Sequence, residues 1–223
     1  MKVRLVSYSQ PAEDFAILED MQDLVAYCAR VSSPANQLNL ETSERLINYL
    51  IKHAHWSPLE MVSATVEIET TRDIARQILR HRSFSFQEFS QRYADPTKDL
   101  DFVMREARFQ DTKNRQNSID IDINNTEHRA LDRLWKEHQQ DVLIAAKKAY
   151  AWAIQNGIAK EQARAVLPEG LTVSRLYMSG TLRSYIHYLQ LRCANGTQKE
   201  HVEVARAVAE AISNIFPMTK DLI

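Results

Sequence analysis

Apolar residues follow two different periods along the chain, and each period predicts one kind of secondary structure. In residues 62–68 apolar and polar positions alternate, which indicates a strand with one buried face. In residues 41–51 apolar positions recur every three or four residues, which indicates an amphipathic helix. Over the whole sequence, the alternating pattern predicts strands at 1–9, 62–71, 101–108 and 171–178. The helical pattern predicts helices at 20–31, 41–51, 72–80, 126–156, 182–189 and 200–216.

Residues that favour helix ends mark the boundaries of two helices. Asn125 or Thr126 is placed to cap the long helix, and Gly157 follows its end. The sequence Ser57-Pro58-Leu59-Glu60 matches a capping box with proline at the first helical position. We therefore expect a helix to begin at this point and the long helix to stop before the glycine.

The order of the predicted elements indicates the fold class. Strands and helices are interspersed without regular β-α-β spacing and without internal repeats, which favours an α+β or mixed α/β fold. We expect a twisted sheet flanked by helices, one of them long, in a single domain of residues 1–223. Polar residues predict loops over 94–100 and 111–125.

Composition and charge exclude several classes of protein. The 223 residues are 44% hydrophobic, enough for one sizeable core. Lys plus Arg number 28 and Asp plus Glu number 29, so an anion-binding site must be local. Lys147 and Lys148 interrupt the apolar residues 142–154, so no membrane span is expected. Two cysteines and the absence of a signal-peptide pattern predict a reducing, cytoplasmic location.

The segment 80–93 contains most of the candidate chemistry. It reads Arg-His-Arg-Ser-Phe-Ser-Phe-Gln-Glu-Phe-Ser-Gln-Arg-Tyr, and its arginine, serine, glutamine and glutamate side chains could together bind a nucleotide. Phe84, Phe86 and Phe89 are expected to anchor this loop in the core. The chain has four glycines and no Gly-rich phosphate loop, so side chains must hold any nucleotide. By itself, Arg-His-Arg could simply complement the negative end of the preceding helix.

The whole segment resembles the signature of the flavin-dependent thymidylate synthases. That signature is Arg-His-Arg, seven residues and Ser, here with Arg80 and Ser90 at its ends. Ser85, Glu88, Arg92 and Tyr93 match the family as well. The resemblance continues in the same order through most of the chain, at residues 29–32, 46–55, 57–60, 76–77, 163–168 and 191–192.

The resemblance implies a fold, a reaction and a set of binding residues. It implies the fold of that family and the methylation of dUMP to dTMP with FAD, 5,10-methylenetetrahydrofolate and NADPH. It also implies a homotetramer whose subunits share the sites. The residues implied to bind dUMP are Gln77, Ile78, Leu79, Arg80, Glu88, Phe89, Ser90, Gln91, Arg92, Arg164 and Arg192. Those implied to bind FAD are Ser32, His55, Ser57, Glu60, Arg80, His81, Arg82, Glu88, Thr181, Leu182, Arg183 and His187.

The resemblance assigns catalysis to Arg192 and Ser90. Arg192 matches the arginine that stabilises the deprotonated ring nitrogen of dUMP, a charge-stabilising role that suits a guanidinium group. Ser90 is expected to orient the nucleotide, because a hydroxyl without an adjacent base is a poor nucleophile. A thiol nucleophile is the alternative. Cys28 lies on an apolar helical face, whereas Cys193 adjoins Arg192 and is the better thiol candidate.

Two other kinds of function remain possible from the residues. Regularly spaced arginines with interleaved phenylalanines also fit a non-catalytic nucleotide- or RNA-binding module, although the balanced charge weighs against it. A flavoprotein reductase without dUMP chemistry is the second alternative. His53 and His55 lack a definable third ligand, so no metal site is predicted. The expected partners are therefore small molecules, without nucleic acid or membrane.

Overall fold

The computed structural model describes the backbone of residues 1–222 and the side chains through Thr219. It combines helices with antiparallel sheet, which confirms the predicted α+β class. The strands are β1 (Lys2–Tyr8), β2 (Ser63–Thr71), β3 (Ser85–Glu88), β4 (Arg108–Gln110), β5 (Ser118–Asp120) and β6 (Val173–Thr181). The helices are α1 (Met21–Ala29), α2 (Ser43–Lys52), α3 (Arg72–Ile78), α4 (Pro96–Asp99), α5 (Thr126–Gln155), α6 (Lys160–Ala163), α7 (Leu182–Arg192) and α8 (Lys199–Ser213).

The main sheet has the strand order β1-β2-β6-β3, with each neighbouring pair antiparallel. β2 and β6 pair along their full length, from Ser63 opposite Thr181 to Thr71 opposite Val173. β1 pairs with β2 but shifts register between Leu5 and Ser7, which is a β-bulge. β4 and β5 form a separate two-stranded ribbon. Because β2 and β6 each lead directly into a helix, the sheet fixes where α3 and α7 begin.

The core lies between one face of the sheet and the helices that cover it. Val66 and Ile68 of β2 and Met178 of β6 are fully buried there. Tyr185 of α7 is also fully buried, and its hydroxyl donates to the carbonyl oxygen of Met178 across 2.7 Å. Strands and helices are thus joined by hydrogen bonds as well as by apolar packing.

The segment after α3 differs from the predicted loop, because residues 85–88 form strand β3 against β6. Phe84 precedes this strand and is 8% exposed in the core, as predicted. A Cβ atom on Gly180 of β6 would lie 2.4 Å from Cδ1 of Phe84. The aromatic ring therefore packs directly on the backbone of the sheet, which locates the start of β3.

The strand predicted for 101–108 is wrong. Only an isolated bridge between Phe102 and Thr172 forms within residues 101–107. Side chains of α5 replace a neighbouring strand as hydrogen-bond partners: Gln139 Oε1 accepts from the N–H of Arg105 at 2.7 Å, and an Asp132 oxygen accepts from the N–H of Ala107 at 2.9 Å. The N–H groups of Val103, Arg105 and Ala107 are thus hydrogen-bonded without a continuous strand ladder.

Two further local predictions also need correction. The capping box at 57–60 does not form, because Ser57 starts a short 3-10 helix and Glu60 pairs with Arg183 instead of turning back to cap. Within the predicted loop 94–100, Asp95 accepts from the N–H of Thr97 and caps the short helix α4.

The long helix α5 is confirmed with both of its predicted ends. The side chain of Asn125 accepts from the N–H groups of Glu127 and His128, and Gly157 has a φ of 76° just beyond the end. One face of the helix is buried. A second face presents large apolar side chains to the outside, and these define the α5 apolar stripe: Leu131, Leu134, Trp135, Val142 and Trp152, which are 43–60% exposed. Within residues 1–222, no helix is long and apolar enough to cross a membrane.

Candidate active site

Arg192, the last residue of α7, contacts His81 in the turn after α3. Its Nε donates to Nε2 of His81 across 2.8 Å. Burial, with the nearby charges of Arg192 and Arg80, lowers the pKa of His81 to about 4, so the ring is neutral and can accept at pH 7. Among the described residues, no protein acceptor binds the two terminal nitrogens of Arg192. The guanidinium group is thus fixed at one nitrogen and available to a ligand at two.

A chain of buried and half-buried polar side chains lies behind this contact. His201 of α8 is fully buried, with Nε2 3.2 Å from the hydroxyl of Tyr188 and Nδ1 3.1 Å from Oε1 of Gln77. Nε2 of Gln77 donates to Oε1 of Gln198 across 2.8 Å. The ring of Tyr188 also packs edge-on to that of His81, with centroids 5.0 Å apart. The resemblance implies that Gln77 binds dUMP. Hydrogen bonds therefore connect a predicted nucleotide-binding residue to residues for which the resemblance implies no role.

Stability is expected to fall as the pH decreases below about 6.5, because the half-buried His81 and the fully buried His201 resist protonation in the folded chain. Burial, with the charges of Arg192 and His81, lowers the pKa of His201 to about 3. In the unfolded chain both histidines have ordinary pKa values near 6.5. The unfolded state therefore binds more protons below that pH. The fully buried His201 alone should lower the free energy of unfolding by about 1.4 kcal/mol per pH unit down to about pH 4.

Denaturant unfolding at several pH values between about 7 and 5, at one protein concentration, measures this loss. His201→Asn should reduce the pH dependence, because it removes one of the two titrating groups. His53→Gln, at the exposed residue after α2, is the control and should leave the dependence close to that of the parent. A free energy of unfolding that stays constant from pH 7 to pH 5 in the parent protein would contradict the expectation.

Glu88 at the end of β3 is held by protein partners. One of its oxygens accepts from the hydroxyl of Ser174 at 2.8 Å, and its carboxylate accepts from Nη2 of Arg76 at 2.7 and 2.6 Å. Nη1 of Arg72 lies 3.7 Å away. A nucleotide or flavin that contacts Glu88 must therefore join an existing ion-pair group, whose fixed geometry would orient it.

Residues 89–93 form a turn next to α6. The hydroxyl oxygen of Ser90 accepts from the N–H of Arg92 at 3.3 Å. Nε of Arg92 is 3.4 Å from a carboxylate oxygen of Glu161, and Nζ of Lys160 donates to the carbonyl oxygen of Tyr93 at 2.7 Å. Ser90 thus has a structural role within its own turn, which fits orientation better than nucleophilic attack.

The other residues of the predicted nucleotide set differ in what they can offer a ligand. Gln91 is 4% exposed, and its Nε2 has no hydrogen-bond partner within the described part of the chain. Ile78 is fully buried and Leu79 packs against the core, while the carbonyl oxygen of Ile78 and the N–H of Leu79 are already hydrogen-bonded within the chain. Phe89 donates its N–H to the carbonyl oxygen of Arg175 at 2.8 Å. The turn is therefore pinned to β6.

The predicted flavin residues of the 57–60 turn and of α7 come together. Nη1 of Arg183 donates to Glu60 across 2.6 Å. The ring of His187 packs edge-on to Trp56 with centroids 4.5 Å apart, and burial together with the charge of Arg183 lowers the pKa of His187. These contacts bring two segments that are distant in sequence to one surface of the molecule.

The remaining predicted flavin residues differ in their position and in their exposure. His55 and Ser57 are exposed beside the turn. Thr181 caps α7 by accepting from the N–H of Ser184, and Leu182 is buried. Ser32 lies exposed in the turn after α1, and within residues 1–222 no hydrogen bond joins it to the other predicted residues.

Four guanidinium groups of the predicted site have no acidic partner. In the part of the chain that the structure describes, Arg80, Arg82, Arg164 and Arg192 form no ion pair, and Arg80 and Arg82 are exposed. Cations without a partner suit phosphate groups, which both dUMP and FAD carry. The donor set therefore fits an anionic nucleotide and a dinucleotide cofactor. Arg164 begins the turn after α6, and no described contact joins it to Arg192.

Sequence reasoning missed the chain formed by Gln77, Gln198, Tyr188 and His201. One signal was present, because His201 occupies the apolar phase of α8, where residues 204, 205, 208 and 212 are all fully buried. A histidine at such a core position requires hydrogen-bond partners on other elements. The sequence does not reveal that α3 and α7 supply them.

Neither cysteine is activated as a nucleophile. Burial raises the pKa of both Cys28 and Cys193, and the nearby charge of Arg206 only partly offsets this at Cys193. Both groups are therefore protonated thiols at neutral pH. Among residues 1–222, no group of three or more His, Cys, Asp or Glu side chains is arranged to hold a metal ion.

Comparisons with known proteins identify the family of this chain. The family model described as thymidylate synthase complementing protein matches residues 15–218. A probable flavin-dependent thymidylate synthase of Paramecium bursaria Chlorella virus 1 is 44% identical over 218 residues, covering 97% of this chain and 96% of the relative. The flavin-dependent thymidylate synthase of Synechocystis is 47% identical over 219 residues, with 97% and 96% covered. That of Thermus thermophilus is 34% identical over 217 residues, with 97% and 73% covered. The chain therefore belongs to the flavin-dependent thymidylate synthase family.

Proposed function

We propose that this protein methylates dUMP to dTMP, with 5,10-methylenetetrahydrofolate as the one-carbon donor and NADPH-reduced FAD as the reductant. Membership of the family makes the chain a flavin-dependent enzyme of thymidylate synthesis. The reductant and the carbon donor are those that the family resemblance implies. One observation supports the binding of dUMP and FAD, the presence of four guanidinium groups without acidic partners among the residues assigned to both ligands.

Arg192 is proposed to stabilise negative charge on the uracil ring. Its Nε is bound to His81, which leaves two N–H-bearing terminal nitrogens for a ligand oxygen or a deprotonated ring nitrogen. Because His81 is neutral, it accepts this bond without repelling the guanidinium group. The donor is thus oriented before the nucleotide binds, which is the condition for effective charge stabilisation.

Arg80, Arg164 and the turn at 89–93 are proposed to bind the rest of dUMP. Cations without acidic partners favour its phosphate, while Ser90 and Gln91 can add neutral hydrogen bonds. The unpartnered Nε2 of the buried Gln91 supports this assignment, because a buried donor without an acceptor is costly unless a ligand completes it. Ser90 orients the nucleotide and does not attack it.

Residues 55–60 and 181–187, with Arg82, are proposed to hold FAD. The exposed guanidinium group of Arg82 suits the pyrophosphate, and His187 offers a ring nitrogen at a partly buried position. When bound, FAD supplies the reducing equivalents that convert the transferred carbon into a methyl group. The raised thiol pKa values of Cys28 and Cys193 support a reaction without a cysteine nucleophile.

The assembly is proposed to be a homotetramer of single-domain chains in the cytoplasm. The exposed α5 apolar stripe supports self-association, because large apolar side chains in a row are usually covered by a partner. If the subunits share the sites, Arg164 of one chain and Arg192 of another can contact the same nucleotide. This would account for the lack of a described contact between them.

Purified protein incubated with dUMP, methylenetetrahydrofolate and NADPH tests the reaction. We expect a yellow protein whose reduced flavin is oxidised without oxygen only when dUMP and the folate are both present, with dTMP as the product by mass spectrometry. Flavin reduction without dTMP would indicate the reductase instead. A colourless protein that retains RNA would indicate the nucleic-acid module.

A further inference from the structure

The amide of Gln77 is held on both of its sides by residues of α8 and the segment before it. Its Oε1 faces Nδ1 of His201 at 3.1 Å, and its Nε2 donates to Gln198 across 2.8 Å. Gln198 in turn donates from Nε2 to Oε2 of Glu200 at 2.9 Å. Gln77 therefore belongs to a connected series of hydrogen bonds that ends on a carboxylate.

The charge of Glu200 determines which groups donate and which accept along this series of hydrogen bonds. Nη1 of Arg105 lies 2.9 Å from Oε2 of Glu200, and Arg108 contacts Oε1. Burial opposes ionisation of Glu200, but hydrogen bonds from its own backbone, from Gln198 and from Arg105, with the charge of Arg105, keep its pKa below the ordinary value. An ionised carboxylate can only accept hydrogen bonds. Gln198 must therefore turn its NH₂ group toward Glu200 and its oxygen toward Gln77.

The orientation of the two glutamine amides also determines which ring nitrogen of His201 carries the proton. Since the oxygen of Gln198 accepts from Gln77, the oxygen of Gln77 is the atom that faces His201, and Nδ1 of His201 must carry a proton. The buried ring is neutral, so its Nε2 has no proton and accepts from the hydroxyl of Tyr188 at 3.2 Å. All donors in the series thus point from Tyr188 toward Glu200.

We infer that His201 is a positioning residue for the nucleotide, which fixes the side-chain amide of Gln77 in one orientation through an Nδ1–H donor. This inference rests on the proposed binding of dUMP by Gln77. With one N–H bound to Gln198, the second N–H of the amide stays in a defined place, where it can donate to an oxygen of dUMP. A reversed amide would place two acceptors together at Gln198 and is disfavoured.

Replacing His201 with asparagine or with glutamine separates the effect of its hydrogen bond to Gln77 from the effect of its packing in the core. The amide nitrogen of asparagine can take the place of Nδ1, so His201→Asn keeps the donor to Gln77. The longer glutamine reaches the place of Nε2, so His201→Gln keeps the contact with Tyr188 and loses the one with Gln77. Tyr188→Phe removes only the hydrogen bond between the Tyr188 hydroxyl and Nε2 of His201. His201→Leu removes both contacts.

The KM for dUMP should rise about three- to tenfold in His201→Gln and His201→Leu, as expected for one hydrogen bond worth about 0.5–1.5 kcal/mol. In His201→Asn and Tyr188→Phe it should stay within about twofold of the parent. The kcat and the flavin content should change little in all four. Equal KM values for the Asn and Gln variants would overturn the inference. A parent protein without dUMP-dependent turnover would instead overturn the proposed function.

A second measurement does not depend on activity. Nitrogen-15 NMR of the histidine-labelled parent protein reports which ring nitrogen of His201 carries the proton, with His201→Asn used to assign the signal. We expect the Nδ1–H tautomer, unchanged down to about pH 5. An Nε2–H tautomer, or a protonated ring at neutral pH, would overturn the inference even if turnover is normal.

Discussion

Arg192→Ala is expected to lower dTMP turnover at least about a hundredfold while the purified protein keeps its bound FAD. A loss of this size is typical when one preorganised donor to developing negative charge is removed. The substitution also frees Nε2 of His81, but a half-buried neutral ring can be solvated at little cost. Arg192→Lys should recover only part of the rate, because a lysine has no fork of donors that can bind His81 and a ligand together.

Single-turnover rates of dTMP formation and the ratio of flavin to protein absorbance measure the two parts of this expectation. Arg206→Ala is the matched control, because it removes an exposed guanidinium group from the neighbouring helix α8. It should turn over like the parent. Near-normal dTMP formation by Arg192→Ala would refute the proposed charge stabilisation. Loss of the flavin together with activity would assign Arg192 to cofactor binding.

Leu131→Glu combined with Val142→Glu is expected to dissociate the proposed homotetramer. The two positions are 11 residues apart, about three helical turns, so both lie on the same side of α5. Their side chains are 43% and 50% exposed in the single chain and would be covered in the assembly. Burying two unpaired carboxylates in an apolar interface costs several kcal/mol, enough to separate the subunits.

Light scattering of the purified proteins gives the molar mass that tests this expectation. Ile144→Glu serves as the control, since Ile144 is 55% exposed on the same helix but points away from the stripe. If subunits share the sites, turnover should fall with the mass in the double variant. A double variant with the parental mass would contradict the role of the stripe. A dissociated variant with full turnover would contradict shared sites.

The sequence was most informative where local signals decide the structure. Asn125 and Gly157 both predict the ends of α5, since capping and positive φ depend on neighbouring residues. The alternation in β2 and the apolar spacing of α7 were equally clear. The family signature identified the turn after α3 because its residues are contiguous.

The sequence was least informative where distant segments meet. Strand β3 exists because β6 pairs with it from far along the chain, and residues 101–107 stay irregular because Gln139 and Asp132 of α5 bind their backbone. The tautomer of His201 likewise depends on a carboxylate reached through two glutamines. Such dependence on tertiary contacts is invisible to pattern analysis along the chain.

The bulge between Leu5 and Ser7 affects how copies of this chain can meet. β1 forms one outer edge of the sheet, and the bulge leaves Val6 outside the pairing register with β2. β3, the opposite edge, has only four residues. An irregular edge and a short edge are both poor templates for the strand of another molecule, which is how amyloid-like aggregation begins. Growth of the sheet from one molecule to the next is therefore disfavoured, so the proposed homotetramer would form through helical faces.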